Sequence, residues 1–296
     1  MRNNSIAWTG SSKRMMIWGR TSGRAVILDS LSYTVLILLA VVILFPLFWM
    51  LLTSFKPLSE VREWPPTFLP RTFTLANYSD IWRQYPFANF LGNSFLISTL
   101  GTLGALFSCT MAGFALAQLR FRYQHLLFLV VLATMMIPYP ARMVPLFIEM
   151  SRLGWVNTFK PLIVPWYFGS AYGVFLMRQF FKSIPRELME AATLDGCNPL
   201  NVLVRIHLPI SQSALTALTV VTFITIWNDF IPPLIFINTM EKLPIAVGLA
   251  FFKGQGEAIW SWLMAAAVLS ACPLLIVYAL AQRYIIEGMA LSGLKR

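Results

Sequence analysis

The chain has 296 residues, of which 57% are hydrophobic and only 12% charged, with a net charge of +11 and a mean hydropathy of +0.68. Charged residues stand at about half the share of a soluble protein, and no ordinary soluble domain of this size hides so much apolar surface. The class that remains is an integral membrane protein; the basic residues sit at the edges of apolar runs, so nucleic acid is not an expected partner.

The first apolar run, Tyr33 to Leu52, is twenty residues without a charge, enough to cross a ~30 Å hydrocarbon core. The basic start (Arg2, Lys13, Arg14, Arg20, Arg24) looks like a signal peptide's charged region. The run is too long for one, and no small-residue cleavage site follows it, so a retained first span is predicted. The loop from Ser54 to Ala88 is broken by prolines. Its stretch Asn77 to Tyr85 reads either as a short interfacial helix, with Ile81, Trp82 and Tyr85 at headgroup level, or as a loop with anchoring aromatics.

Further spans are predicted near Phe90 to Ala117, Leu126 to Ile148, Pro161 to Met177, Pro209 to Asn228 and Ala258 to Gln282. The fourth is short and interrupted by Pro165, Gly169 and Gly173. No period-2 alternation supports a barrel, and only a helix satisfies its own backbone in lipid. The predicted fold class is an all-α membrane protein with six transmembrane helices. Residues 1–27 form an N-terminal tail, 28–286 the membrane domain and 287–296 a C-terminal tail. With the N-terminus inside, the inner segments hold 14 lysines and arginines and the outer ones eight, the latter nearly balanced by acids. That bias puts both termini in the cytoplasm.

Signs of catalytic chemistry are missing. The sequence has no G-x-x-x-x-G-K-[ST], no H-E-x-x-H and no G-x-S-x-G, and its two histidines, His125 and His207, lie far apart. The three cysteines, Cys109, Cys197 and Cys272, are odd in number and too scattered for a local metal site, so they are expected to pack. An enzyme is not predicted, and the chain needs no metal or cofactor of its own. Two ionisable groups fall inside apolar runs. Arg142 lies about 24 Å beyond the inner end of its span, where it either snorkels or faces the translocation path. Asp229 follows Trp227 and Asn228 in "ITIWNDFIPPLIF". These three residues either face a sugar, with its hydroxyls on the polar groups and its apolar face on the indole, or close a helix before Pro232 and Pro233. No span carries a central chain of acids and bases, which speaks against an ion-coupled carrier acting alone, the alternative function.

The stretch "ELMEAATLDGCNPLNVLVRIHLPI", residues 187–210, lies between the fourth and fifth predicted spans, on the cytoplasmic side. Pro185 suits a first helical turn, and Glu187 and Glu190 suit the positive end of the helix dipole. Leu188, Ala191 and Ala192 form a narrow apolar face with small side chains. Gly196 is predicted as a left-handed cap, and Asn198 and Pro199 as the N-cap and first residue of a second short helix. The physics alone supports either a connector lying on the membrane or a device for docking.

Glu190, Ala191, Ala192, Gly196, Ile206, Leu208 and Pro209, with Asp195 before the glycine, resemble the EAA motif of ABC importer permeases. "FPLFWMLLTSFKP", "AGFALAQLRFR", "WNDF" and "QRYIIEGMALSGLKR" are similar to the six-span subunit of the carbohydrate-import (maltose-type) branch. The ending "GLKR" departs from the commoner "GAVKG". The resemblance implies a cytoplasmic coupling helix-turn-helix, about 182–208, that docks in a cleft of a separate ATPase. It implies a permease subunit of an ATP-driven carbohydrate importer in a bacterial-type inner membrane. Its partners would be a second permease subunit, two ATPase subunits holding ATP and Mg, an extracytoplasmic solute-binding protein and a sugar. Asn238 to Glu257 is similar to the loop that probes the binding protein in relatives, or else is a plain outer loop. Moving a two-state transporter from 1:99 to 99:1 takes about 5.5 kcal/mol of differential interaction, so docking must be firm.

Overall fold

The computed structural model describes residues 23–253 and 259–293, with side chains for 27–253 and 259–283. The basic residues before Gly23 and the tail "LKR" lie outside the described residues. Among those described, regular structure is helical throughout, with no strand. Two compact units are present, Met1–Trp49 and Met50–Arg296.

The described residues of the first unit belong to one helix. Helix α1 (Gly23–Ser54) begins here and carries Pro46 internally. Its Ile, Leu, Val and Phe side chains from Ile27 to Phe48 are exposed on every face, and Asp29 is the one charge between Ile27 and Ser54. A helix apolar all round suits lipid, and the 28 residues from Ile27 to Ser54 rise ~42 Å. It outruns the predicted Tyr33 to Leu52 at both ends.

In the second unit, α2 (Leu58–Val61) and α3 (Ala76–Gln84) organise the proline-rich segment. Buried Glu60 is its knot. One carboxylate oxygen accepts the Arg71 N–H at 2.9 Å and the Thr67 hydroxyl at 2.7 Å, and the other accepts the Thr72 N–H at 3.3 Å. Burial alone pushes this carboxyl upward. The Arg71, Thr67 and Thr72 donors and the charge of Lys56 together outweigh burial and hold it below its ordinary value. The Asn77 amide donates to the carbonyls of Ser54 and Lys56, both at 2.8 Å. The segment is helical, but it does not present Ile81, Trp82 and Tyr85 together at a headgroup layer: Ile81 is fully buried, and Tyr85 packs edge-on against Phe252 and Trp262. Only Trp82 keeps substantial exposure, because the other two residues fall on the face that meets α15 (Trp260–Gly293).

Helix α4 (Phe87–Gln118) is the spine. It packs against α8 (Ala171–Ser183) along one side and α12 (Gln212–Trp227) along another. One apolar cluster surrounds its first half, with Phe87, Phe90, Phe223, Trp227, Ile245 and Phe252. A second surrounds its last half, with Cys109, Phe114, Met177, Phe181, Val202 and Leu218. Lipid tails are as apolar as leucine, so such helices associate by close packing and internal hydrogen bonds. Gly113 supplies the closeness: a Cβ there would sit 2.7 Å from Met177 Cβ and 3.0 Å from the Arg178 backbone nitrogen. The hydrogen bonds come from Arg178 Nε, which donates to the Leu116 carbonyl at 3.0 Å, and from the Gln118 amide, which donates to the Phe181 carbonyl at 2.6 Å. Buried Arg178 also stacks over Phe128, 3.7 Å from the ring centroid.

The third predicted span is not one straight helix. Helices α5 (Gln124–Met135) and α6 (Tyr139–Arg152) meet at 99°. Pro138 lacks an N–H and pushes its predecessor out of the helical region, and Pro140 follows in the first turn of α6. The fourth is divided among α7 (Lys160–Ile163), a 3₁₀ segment Val164–Phe168, and α8 (Ala171–Ser183). Gly169, at φ 89°, ends the 3₁₀ segment, and the Ser170 hydroxyl caps α8 by accepting the Gly173 N–H at 3.1 Å. Then follow α9 (Arg186–Leu194), α10 (Pro199–Val202), α11 (Leu208–Ile210), α12 (Gln212–Trp227), α13 (Ile231–Phe236), α14 (Ile245–Phe251) and α15 (Trp260–Gly293). Among the described residues, α1, α4 and α15 are long and apolar enough to cross a membrane, and the α5–α6 and α10–α12 pairs qualify as bent crossings.

Candidate functional site

The stretch 187–210 folds as two short helices and a hinge. Helix α9 ends at Asp195, and Gly196 takes φ 83°. The Gly196 N–H bonds the Thr193 carbonyl at 3.0 Å, and the Cys197 N–H reaches back to the Ala192 carbonyl at 2.9 Å. This pair of bonds is a Schellman cap, which satisfies the last carbonyls of the helix and needs a left-handed residue at this position. The Asn198 side chain then accepts the Asn201 N–H at 2.8 Å to open α10, with Pro199 as its first residue. Leu203–His207 is a π turn. Pro209 offers no N–H to the Arg205 carbonyl, and the Leu208 N–H bonds Leu203 one residue further back. The Ser211 hydroxyl donates to the His207 carbonyl at 2.7 Å, where the chain bends 82° into α12.

The motif residues divide by burial. Glu190, Ala191, Asp195, Gly196 and Pro209 are exposed, whereas Ala192 is buried and Ile206 and Leu208 are partly buried in the second cluster. The apolar face expected from Leu188, Ala191 and Ala192 is therefore split: Ala192 turns inward, and Leu188 and Ala191 face out beside Leu194, which is 89% exposed. His207, which sequence reasoning passed over, is fully buried between Phe114 and Phe181, with ring centroids 5.0 and 5.7 Å away. A cavity of about 520 Å³ opens beside α9, where Arg186, Met189 and Glu190 face Gln118 and Arg120 at the end of α4. Only the fold brings these flanking residues together, since they are not contiguous in sequence.

A second cavity, of about 750 Å³, lies where α6, the 3₁₀ segment, α8 and α13 converge. The bend after α5 carries Arg142 to its wall, so the straight-helix height expected for this residue does not apply. The predicted trio around Asp229 is dispersed. Asp229 lines the cavity. Trp227 is 2% exposed and stacks on Phe223 inside the first cluster, with centroids 5.7 Å apart. The Asn228 amide donates to the Ile224 carbonyl at 2.9 Å, which ends its own helix. Consecutive residues at a helix end point in different directions, so one motif does not make one site.

The segment after α13 packs on α4. The Asn93 amide donates to the carbonyls of Glu241 and Leu243, and the Ser94 hydroxyl accepts the Ile245 N–H. Asn157, at φ 62°, accepts the N–H groups of Asn238 and Thr239 and donates to the Thr239 hydroxyl at 2.7 Å. The remainder of the loop, 254–257, lies outside the described residues. No group of three or more metal-ligating side chains occurs among those described. Cys109 is buried beside Ser170, as a packing residue would be.

A helical bundle that spans a membrane, with a hinged helix pair at one end and a polar cavity among its broken helices, defines a transport subunit. Residues 104–290 match the model of the binding-protein-dependent transport system inner membrane component family, and the chain belongs to it. It is 34% identical to the inner membrane ABC transporter permease protein YcjP of Escherichia coli strain K12 over 89% of this chain and 95% of that one. It is 32% identical to the arabinooligosaccharides transport system permease protein AraQ of Halalkalibacterium halodurans over 87% and 93%. It is also 32% identical to the sn-glycerol-3-phosphate transport system permease protein UgpE of Pectobacterium atrosepticum over 88% and 96%. Its fold is similar to a chain of a bacterial ABC transporter involved in import of the acidic polysaccharide alginate, with a TM-score of 0.76, 24% identity, and 89% and 98% of the two chains covered. The protein is therefore a multi-pass permease of the inner membrane, with no enzymatic activity of its own.

Proposed function

We propose that this chain is the six-span permease subunit of an ATP-driven importer of a carbohydrate or related polyol. In this reading α1, α4, the α5–α6 pair, the broken segment ending in α8, α12 and α15 make the six crossings. Residues 28–286 are the permease domain, and the tails 1–27 and 287–296 are cytoplasmic. The chain forms half of the path, beside a second permease subunit. Two ATPase subunits holding ATP and Mg drive it, and an extracytoplasmic binding protein delivers the sugar.

The observation that carries the coupling assignment is the division of the motif residues. Ala192, Ile206 and Leu208 tie the hinged pair into the second cluster, while Glu190, Ala191 and Asp195 are left outward on a rigidly capped helix. Force applied to the outer face then reaches α4 and α12 through packed side chains. Glu190 pairs with a basic residue of the ATPase, and Gly196 permits the turn that Pro209 separates from α12. The permeases named for arabinooligosaccharides and sn-glycerol-3-phosphate support the carbohydrate assignment.

The test is ATP-driven uptake by the co-purified complex in proteoliposomes. Glu190→Ala and Gly196→Pro are expected to assemble poorly with the ATPase and to lose uptake. Wild-type uptake in both variants would sink the docking assignment.

A further inference from the structure

The 750 Å³ cavity has the size of small-molecule sites, ~300–1,000 Å³, and their mixture of apolar walls and a few convergent polar groups. Its walls include Tyr139, Arg142, Trp166, Tyr172, Thr225 and Asp229. Trp166 is held by α4: its ring lies where a Cβ on Gly101 would come within 3.2 Å, and its carbonyl accepts the Ser108 hydroxyl at 3.0 Å. The indole is thereby a fixed wall. Arg142 stands 6.0 Å from the Tyr139 ring centroid. The Tyr139 hydroxyl is buried and makes no hydrogen bond among the described residues. A buried phenol normally finds a partner, so this one points to a group that arrives from elsewhere.

Arg142 and Asp229 line the same cavity, and among the described residues no ion pair joins them. The Asp229 carboxylate accepts the Phe230 backbone N–H and still has acceptor capacity for an occupant, and the Arg142 guanidinium is not tied up by Asp229. Their opposite charges leave the cavity close to neutral. An anionic ligand drawn to Arg142 meets the Asp229 carboxylate, and a cationic one drawn to Asp229 meets the guanidinium. A neutral polyhydroxylated ring meets neither repulsion. Its hydroxyls donate to Asp229 and accept from Arg142 and Tyr139, and its apolar face lies against Trp166.

We propose that this cavity is a sugar subsite within this subunit, built for a neutral saccharide unit rather than for a uronate or phosphate-bearing one. The proposal rests on the carbohydrate-importer reading above and sharpens it. Asp229 is the acceptor, Arg142 and Tyr139 the donors, and Trp166 the stacking wall. Asp229→Asn removes the repulsion that excludes anions, and so should change selectivity as well as affinity. A purely structural role for Asp229 would not move selectivity.

The experiment measures saturation-transfer NMR on the purified permease–ATPase complex without its binding protein, using maltotriose, arabinotriose and trimannuronate as probes. The wild type is expected to bind at least one neutral trisaccharide in preference to trimannuronate. Loss of a hydrogen bond to a charged group is expected to weaken neutral-sugar binding about tenfold or more in Asp229→Asn and Arg142→Gln. Asp229→Asn should also shift preference toward trimannuronate. Tyr139→Phe, which removes one oxygen and no packing, should weaken binding severalfold and decides the matter if a charge variant fails to assemble. Preference for trimannuronate in the wild type overturns the neutral class. Binding unchanged in Tyr139→Phe and in the assembled charge variants overturns the site, as does failure of the wild type to bind any probe. ATP-driven sugar uptake with the binding protein present, measured alongside, separates the two levels. Uptake that persists despite any of these results sinks the subsite and leaves the importer, whereas absence of all sugar uptake sinks the importer reading as well.

Discussion

Substitutions at Gly196 separate backbone geometry from side-chain contact unusually well. The residue is exposed at φ 83°, and a Cβ built there meets nothing within 4 Å. Alanine therefore adds no clash and costs only the strain of the left-handed region, ~1–2 kcal/mol. At 1.4 kcal/mol per factor of ten, that is a ~5- to 30-fold loss of the capped conformation. Asparagine tolerates this region better and should cost less. Proline demands φ of opposite sign and deletes the N–H that bonds Thr193, so the cap is lost altogether, at ~3 kcal/mol or more. The affinity of the purified ATPase for the solubilised permease complex should fall in the order Gly, Asn, Ala, Pro, with proline weakened about a hundredfold or more. The melting temperature should change little for asparagine and alanine, because a Cβ at Gly196 itself meets no core side chain, and should fall more for proline, because the cap holds Ala192 and Cys197 against the second cluster. Equal affinities for alanine and proline would refute the role of the cap, and a melting temperature that falls in step with affinity for asparagine and alanine would show a folding effect instead of a docking one.

Three further outcomes follow from the packing. The Glu60 carboxyl lies below its ordinary value of 4.5 in the folded chain, so its stabilisation is complete above that pH and is lost as pH falls through the depressed folded value. Hydrogen exchange over residues 56–75 should therefore be constant from pH 5 to 7, once corrected for intrinsic rates, and rise below 4.5; Glu60→Gln should show raised exchange already at pH 7. Arg178→Met removes the bond to the Leu116 carbonyl and the stack on Phe128, and should cost ~2–3 kcal/mol in thermal stability, with Arg178→Lys recovering only part of it. Asn157→Gly keeps the left-handed backbone but loses the bonds to Asn238 and Thr239. Limited proteolysis should find the 237–243 segment more open in that variant, and more open still in Asn157→Ala, which adds strain.

Much of the molecule was legible from local chemistry. Unbroken apolar runs identify α1, α4 and α15, because a helix in lipid must close its own hydrogen bonds over a fixed thickness. The Gly196 cap and the Asn198–Pro199 start were equally plain, since both depend on residues within one or two turns. Apolar length alone did not reveal the break in the third span, whereas Pro165 and Gly169 did mark the broken fourth. A proline shows that a helix is interrupted, but the direction it then takes depends on what packs beside it.

That dependence marks the boundary between sequence and tertiary structure. Composition, charge placement and the residues from Glu190 to Pro209 determined the class, the helices and the family, all of which rest on transfer energies and local backbone preference. Only the folded structure decided that Ala192 faces inward while Ala191 faces out. Only the fold sent Trp227 into the core and Asn228 back onto its own helix. The 99° bend brought Arg142, 87 residues distant in sequence from Asp229, to the same cavity. A site whose polar groups come from α6, the 3₁₀ segment and the turn after α12 leaves no periodic trace along the chain, because each of its residues obeys only the local pattern of its own segment.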